Sequence, residues 1–304
     1  MLMQPNEIAI ILLPRWRFGM TMENSERDRF LRESVILDGH CHLSLHFDRA
    51  YLATELSNAT ANAFFLGGYE PVEWQAQLQL RKTFPGYHWL HSFGLHPWWV
   101  ASHSSQSCEA AFAVLEKQVQ SAHAVGECGL DYSSGYIGSR KHQELWFIRQ
   151  LHLAVQVEKP VVLHLVRSYE AALRILDDCG LKTCRGMVHG FSGSREVAEA
   201  FIRRGWLISF GPNIMKRGYK KMKRTLKTIP SEYMVIETDS MPIEALRDGD
   251  EQGGEGQSEG LEPSRFRRFV PLKAVARAVS AYRSESWREL LELSKTNLCG
   301  LLFN

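Results

Sequence analysis

Val35-Ile36-Leu37-Asp38-Gly39-His40-Cys41-His42 is the stretch whose reading decides the fold. Three apolar residues begin a short strand, and the polar residues follow at its end. In a strand, side chains at i and i+2 share a face. His40 and His42 therefore project side by side, with Cys41 turned away. Two imidazoles with a carboxylate close by form half of a divalent-metal site. Two ordinary polar loop residues are the competing reading of this pair taken alone.

The same unit recurs along the chain. Apolar runs at Val35–Leu37, Ala63–Leu66, Tyr87–Phe93, Ala122–Val125, Pro160–Leu165, Gly186–Val188, Leu207–Phe210 and Tyr233–Ile236 alternate with amphipathic stretches such as Arg140–Glu158. Repeated strand–helix alternation predicts an α/β fold with parallel strands, and eight units close most naturally into a (β/α)8 TIM-type barrel. An open doubly wound sheet is the alternative. No G-x-G-x-x-G follows the first run, so a dinucleotide cofactor is not expected. Pro271–Ala281 and Trp287–Phe303 read as two closing helices.

Barrel active sites lie at the C-terminal ends of the strands. Glu127 follows the fourth run, His164 lies in the fifth, His189 follows the sixth and Asp239 the eighth. With His40 and His42 they make six candidate ligands. That is too many for one tetrahedral ion and suits two divalent cations bridged by a carboxylate and a water. Singly, each reads more readily as a helix cap or a hydrogen-bonded structural residue than as a ligand. Jointly that reading weakens, because burying several carboxylates and imidazoles together without a cation is costly.

Composition sets the bounds. The chain has 304 residues, 44% hydrophobic and 23% charged, enough for one large soluble core. Its formal net charge of +2 does not by itself mark a nucleic-acid binder. Six scattered cysteines without a CxxC pair predict a reduced, cytoplasmic setting. Residues 1–34 read as an extension outside the fold and 35–304 as the barrel. Ile8–Leu13 is too short to span a bilayer, and no membrane association is expected. Asp248–Gly260 (DGDEQGGEGQSEG) reads as a flexible acidic, Gly-rich loop.

Asp38-Gly39-His40-Cys41-His42-Leu43, Gly94-Leu95-His96-Pro97, Gly126-Glu127-Cys128-Gly129-Leu130-Asp131, His189-Gly190-Phe191-Ser192-Gly193 and Glu237-Thr238-Asp239 follow one another in the order of a known group. Gln143, Phe147, Gln150, Leu153 and Ala154 agree in spacing as well. Over roughly Leu37 to Phe303 the chain resembles the amidohydrolase-like hydrolases, and more closely the TatD family of metal-dependent deoxyribonucleases. The resemblance implies a TIM-type barrel, a divalent-metal site (Mg, Mn or Zn) and phosphodiester hydrolysis in DNA, at ends or single strands. It implies that His40, His42 and Asp239 hold one ion, that His164 and His189 hold the second, and that Glu127 bridges them. Asp239 would also orient the attacking water and accept its proton. A hydrolase of another ester, an amide or a small phosphoester is the alternative on the same architecture. Three departures stand out: Gly39 where the family usually has a polar residue, Arg167 shifted from a His-x-Arg pattern, and Pro242 displaced after the last strand.

Weaker signals surround the mouth. His96 and Arg167 are candidate substrate contacts. Trp98 and Trp99 are candidate base-stacking surfaces, with packing as the bland reading. Lys216–Arg224 (KRGYKKMKR) is a basic run whose bland reading is a solvated helix face; Lys216 and Arg217 are its better candidates for substrate contact.

Overall fold

The computed structural model describes residues 27–28, 30–31, 34–43, 49–240 and 270–303. Most of the 1–34 extension, Pro242 and the 248–260 stretch lie outside these residues. The strands are β1 (Leu37–Cys41), β2 (Ala63–Leu66), β3 (His88–Phe93), β4 (Ala124–Asp131), β5 (Val161–Val166), β6 (Gly186–Val188), β7 (Leu207–Phe210) and β8 (Met234–Ile236). They form one parallel sheet in sequence order. Its two ends meet where the Asp239 N–H donates to His40 O at 2.9 Å and the His42 N–H donates to Ser240 O at 2.8 Å. The fold is a (β/α)8 barrel of the TIM type.

The helices are α1 (Arg49–Asn58), α2 (Pro71–Thr83), α3 (Pro97–Ser102), α4 (Ser105–Gln118), α5 (Arg140–Gln156), α6 (Tyr169–Asp178), α7 (Arg195–Ile202), α8 (Lys220–Leu226), α9 (Leu272–Arg283) and α10 (Trp287–Leu302). Local chemistry sets their starts. Proline opens α2 and α3, where an N–H has no intrahelical partner to lose. Ser104 caps α4 by accepting the Ser107 N–H. Several strands start or stop away from their apolar runs. Ala122 is taken up by a 3-10 turn, its N–H donating to Val119 O, so β4 starts later and runs on through Glu127 to Asp131.

The barrel interior has a layered logic. Leu37, Ala63, Phe65, Leu90, Ala124, Val162, Met187, Leu207 and Val235 form one apolar cluster to which every strand contributes. Phe30, Val35, Leu298, Leu301 and Leu302 join this cluster. Phe30 lies on the extension side of residue 35, yet it is 2% exposed and packs on His88 and Phe303. Two residues beyond the apolar layer, β2, β3, β5, β6, β7 and β8 lead to Gly67, Ser92, His164, His189, Ser209 and Glu237. Period-two alternation keeps these on the inward face.

β1 and β4 break the period. Asp38 pairs with Phe64 and Cys41 with Leu66, so β1 spends one residue more than β2 between these pairings. Val125 pairs with Val161 and Cys128 with Leu163, which gives β4 the same extra residue. An inserted residue of this kind is a β-bulge, and it exchanges the two faces of the strand beyond it. His40 and Glu127 thereby turn inward, while Cys41 and Cys128 join the outer core under the helices. Gly39 sits at the β1 bulge, where a Cβ would clash with Val235 Cγ1 and meet Ile236 O at 2.7 Å. That close approach of β8 accounts for glycine at this position.

Candidate active site

Glu127 is the centre of the polar layer, and its side chain has no exposed surface. Oε1 lies 3.0 Å from His40 Nε2 and 2.8 Å from His42 Nε2. Oε2 lies 2.6 Å from His189 Nε2, 3.6 Å from His164 Nδ1 and 3.7 Å from His96 Nε2. Asp239 stands above this group, with Oδ1 3.6 Å from His42 Nε2 and a side chain 36% exposed. Its φ of 47° is left-handed, a conformation that Asp tolerates better than most residues. Gly67 floors the cluster: a Cβ there would come within 2.6 Å of His40 Cε1 and 2.7 Å of Glu127 Oε1.

The donor set fits a divalent cation. His40, His42 and Asp239 place one ligand atom each within 4.8 Å of one another, and so do His40, Glu127 and His189. Glu127 Oε2 makes no aligned hydrogen bond despite its imidazole neighbours, and His40 Nδ1 and His189 Nδ1 are buried without a hydrogen bond. His164 Nδ1 and His189 Nε2 converge to 3.2 Å. Two imidazole nitrogens aimed at each other around a carboxylate are a poor hydrogen-bond network and a good set of lone pairs for a metal.

The supports behind the ligands fix their tautomers. His164 Nε2 faces Asp131 Oδ2 at 3.4 Å, which leaves Nδ1 as the lone-pair atom toward Glu127. Asp131 also accepts Trp98 Nε1–H at 2.6 Å and the Ser133 N–H at 2.8 Å. Behind His189, Glu237 Oε1 lies 3.7 Å from Nδ1 and accepts the Gly190 N–H at 2.7 Å; the Ser209 hydroxyl donates to Oε2. Asp38 accepts the Thr238 N–H at 2.9 Å and its hydroxyl at 2.6 Å, tying β1 to the segment that carries Asp239. Two buried glutamines of α5 hold the loops in place. Gln143 bonds both backbone groups of Asp131, and Gln150 both backbone groups of Leu95 beside His96.

His96 behaves differently from the others. Its Nδ1 accepts the Trp98 N–H at 3.2 Å, so the neutral ring carries its proton on Nε2. His96 therefore offers Glu127 a donor, not a lone pair. Burial, reinforced by nearby His164, holds it well below the ordinary histidine range and keeps it neutral.

Charge at the centre follows from this geometry. Burial pushes the Glu127 carboxyl up, but His189, His42 and His40 outweigh it and hold Glu127 well below the usual carboxylate range. Burial disfavours the charged forms of His42 and His189, yet Glu127 raises His42 to about 9 and takes His189 well above its ordinary value.

The remaining expected contacts lie outside the cluster. Arg167 follows β5 as an exposed residue with φ 55°. Lys216 and Arg217 follow β7, both exposed, with Lys216 Nζ 5.8 Å from the Tyr219 ring centre. Trp99 is buried and stacks on His103, so it packs and offers no free face. Trp98 is half-buried and stacks on Tyr136 at 5.6 Å.

Residues 37–303 match the TatD related DNase family. The chain belongs to that family. It is 30% identical over 197 residues to the 3'-5' ssDNA/RNA exonuclease TatD of Escherichia fergusonii, covering 64% of this chain and 73% of the relative. It is 27% identical over 217 residues to human deoxyribonuclease TATDN3, covering 67% and 77%. Among solved structures, YjjV, a TatD homologue from Escherichia coli K12, superimposes with a TM-score of 0.68 at 26% identity, covering 88% of this chain and 97% of that one. Among the described residues, no helix is long and apolar enough to cross a membrane.

Sequence reasoning assigned no role to Asp131, Glu237 or Asp38. The signal was available for one of them. Glu127 and Asp131 are spaced by an even number within β4, which places both on one strand face.

Proposed function

We propose that this protein is a divalent-metal-dependent deoxyribonuclease that removes nucleotides from the end of a DNA strand. One observation carries the reading: a carboxylate with no exposed surface, Glu127, faced by five imidazoles and overlooked by the solvent-open Asp239. The names of the relatives support the substrate class.

In this reading His40, His42 and Asp239 would hold one cation and His164 and His189 a second, with Glu127 placed to serve both. Imidazole-rich donors favour Zn or Mn over Mg, although carboxylates accept all three. When bound, the cations supply positive charge for the phosphoryl oxygens and lower the pKa of water from about 16 toward 7. Asp239 orients that water and takes its proton, because it is the one carboxylate of the group with solvent access. Its position is held by its N–H bond to His40 O. His96, with its proton on Nε2, donates to a phosphate oxygen. Arg167, Lys216 and Arg217 hold flanking phosphates. Six free cysteines, five of them buried, fit a reducing cytoplasm.

The test is digestion of an end-labelled single strand by metal-stripped protein supplied with Mg, Mn or Zn, against an EDTA control. Asp239→Asn is expected to lower the rate about 10²–10⁴-fold while the melting temperature holds. A near-native rate in that variant would remove Asp239 from the mechanism. Absence of cleavage with every cation would sink the nuclease reading.

A further inference from the structure

The basic run after β7 does not stand alone. Segments 216–227 and 272–283 together hold ten Lys and Arg residues and no Asp or Glu, and the rest of the chain carries a net charge of −8. The fold brings the two segments side by side. Lys223 of α8 and Lys227, just past its end, both lie 5.7 Å from the Tyr282 ring centre on α9. Farther along, Lys273 and Arg277 approach the Trp287 ring at 5.4 and 5.9 Å, with Arg288 at 4.5 Å. Arg283 is consumed in packing, where it donates to Leu226 O, Ile229 O and Ser231 Oγ and pairs with Glu285 Oε1 at 2.7 Å. Others remain available: Lys220, Lys221, Arg224, Lys227 and Arg277 are exposed, and none forms an ion pair among the described residues. Glu196 of α7 is within electrostatic reach of Lys221.

A face kept only for solubility interleaves both signs, because like charges gathered on one surface repel. Segregated, unneutralised cations with interspersed aromatic rings complement a polyanion. The face is also continuous with the candidate active site. Gly211, directly after β7, lies against Glu237, where a Cβ would sit 3.3 Å from Oε1. Pro212–Met215, Lys216 and Arg217 then lead into α8. From there α8 and α9 extend about 10 and 18 Å at 1.5 Å per residue.

We propose that the α8–α9 face is an accessory surface that holds the phosphate backbone of single-stranded DNA several nucleotides from the bond being cut. This rests on the nuclease reading and gives that site a preference for long substrates.

The test compares the full chain with a K220Q/K221Q/R224Q/R277Q variant. None of these residues belongs to the proposed catalytic machinery. Binding of a fluorescein-labelled 30-nucleotide deoxy-oligonucleotide is measured in EDTA, where nothing is cut, across a salt series. The variant is expected to bind at least about tenfold more weakly, with a log–log salt slope shallower by about 3, near 0.7 per lost phosphate contact. With metal restored, KM for the oligonucleotide rises, kcat holds, and hydrolysis of bis(p-nitrophenyl) phosphate is unchanged. Unchanged affinity and slope overturn the proposal and leave the nuclease reading standing. Strong binding through this face without cleavage under any cation overturns the nuclease reading instead. The chain's own acidic stretch 248–260 is the competing occupant. Replacing it with Gly and Ser is expected to leave affinity unchanged, and a gain as large as the loss in the quadruple variant assigns the face to that stretch.

Discussion

Replacing Asp131 with Asn tests whether the hydrogen bonds behind His164 decide which of its nitrogens faces the metal. Three donors surround this carboxylate: Trp98 Nε1–H at 2.6 Å, the Ser133 N–H at 2.8 Å and His164 Nε2 at 3.4 Å. A carboxylate accepts from all three, whereas an amide has one oxygen and two N–H donors. With the amide oxygen toward Ser133, the NH2 group confronts Trp98 and His164. His164 then answers with a lone pair on Nε2, and its proton moves to Nδ1, the atom 3.6 Å from Glu127 Oε2. With the oxygen turned the other way, the Ser133 N–H is left without its acceptor. Losing a charge-assisted bond, or stranding a donor, costs about 2–3 kcal/mol of stability. Disturbing such a support lowers metal affinity about 10–100-fold, or roughly 1.4–2.8 kcal/mol. Calorimetric titration of Mn or Zn into the stripped protein reads the affinity, and thermal melting reads the stability. Trp98→Phe is the control: it removes one donor and leaves His164 its acceptor, so stability falls and metal affinity holds. Native metal affinity in Asp131→Asn would refute the argument.

In EDTA, the Glu127-stabilised protonated forms of His42 and His189 contribute stability that is fully present below about 6.5, the unfolded histidine value, and is lost as pH rises through about 9, where His42 titrates. Cations must displace these protons, so metal affinity rises with pH over the same window, and melting in EDTA against melting with metal should show opposite slopes; parallel slopes would contradict the protonation assignment. Gly39→Ala is expected to cost about 1–3 kcal/mol, because the added methyl meets Val235 and the backbone of Ile236. Val235→Ala removes the first contact and not the second, so the double variant should recover part of the loss in denaturant unfolding, and strict additivity would show that Gly39 is not limited by this contact.

Much of the fold was legible because apolar runs and amphipathic stretches alternate plainly, and one face of each helix must be buried. Helix limits such as Trp287–Leu302 fall within a residue of the pattern. Strand limits were harder to read. Glu127 and His40 lie past the aliphatic runs that mark their strands and read as strand-end residues, yet both lie within strands, because the sheet hydrogen bonding runs on past the last aliphatic residue. The residues gathered at the mouth were legible for a different reason, that acids and imidazoles recur at corresponding strand ends. What the sequence concealed was their rear support. Trp98 reads as a stacking or packing residue, and only its Nε1–H bond to Asp131 reveals that it braces His164. The basic face was hidden for a similar reason, since Lys273 and Arg277 are far in sequence from the run they join in space.

The paired bulges of β1 and β4 change what it means to preserve this site. Five strands deliver a polar residue by plain alternation and β2 delivers Gly67, while His40 and Glu127 face inward only because a bulge in each strand absorbs one extra residue. Straightening either bulge with every residue kept would leave each candidate ligand present in the chain and still send His40 or Glu127 outward against the helices. Deleting Gly39 or Gly126 would instead remove the extra residue itself and keep the inward facing by plain alternation. The inventory of side chains is therefore only half of the specification. The other half is a conformation, and a barrel with all the right letters but a straight, full-length β1 or β4 would have a centre that faces the wrong way.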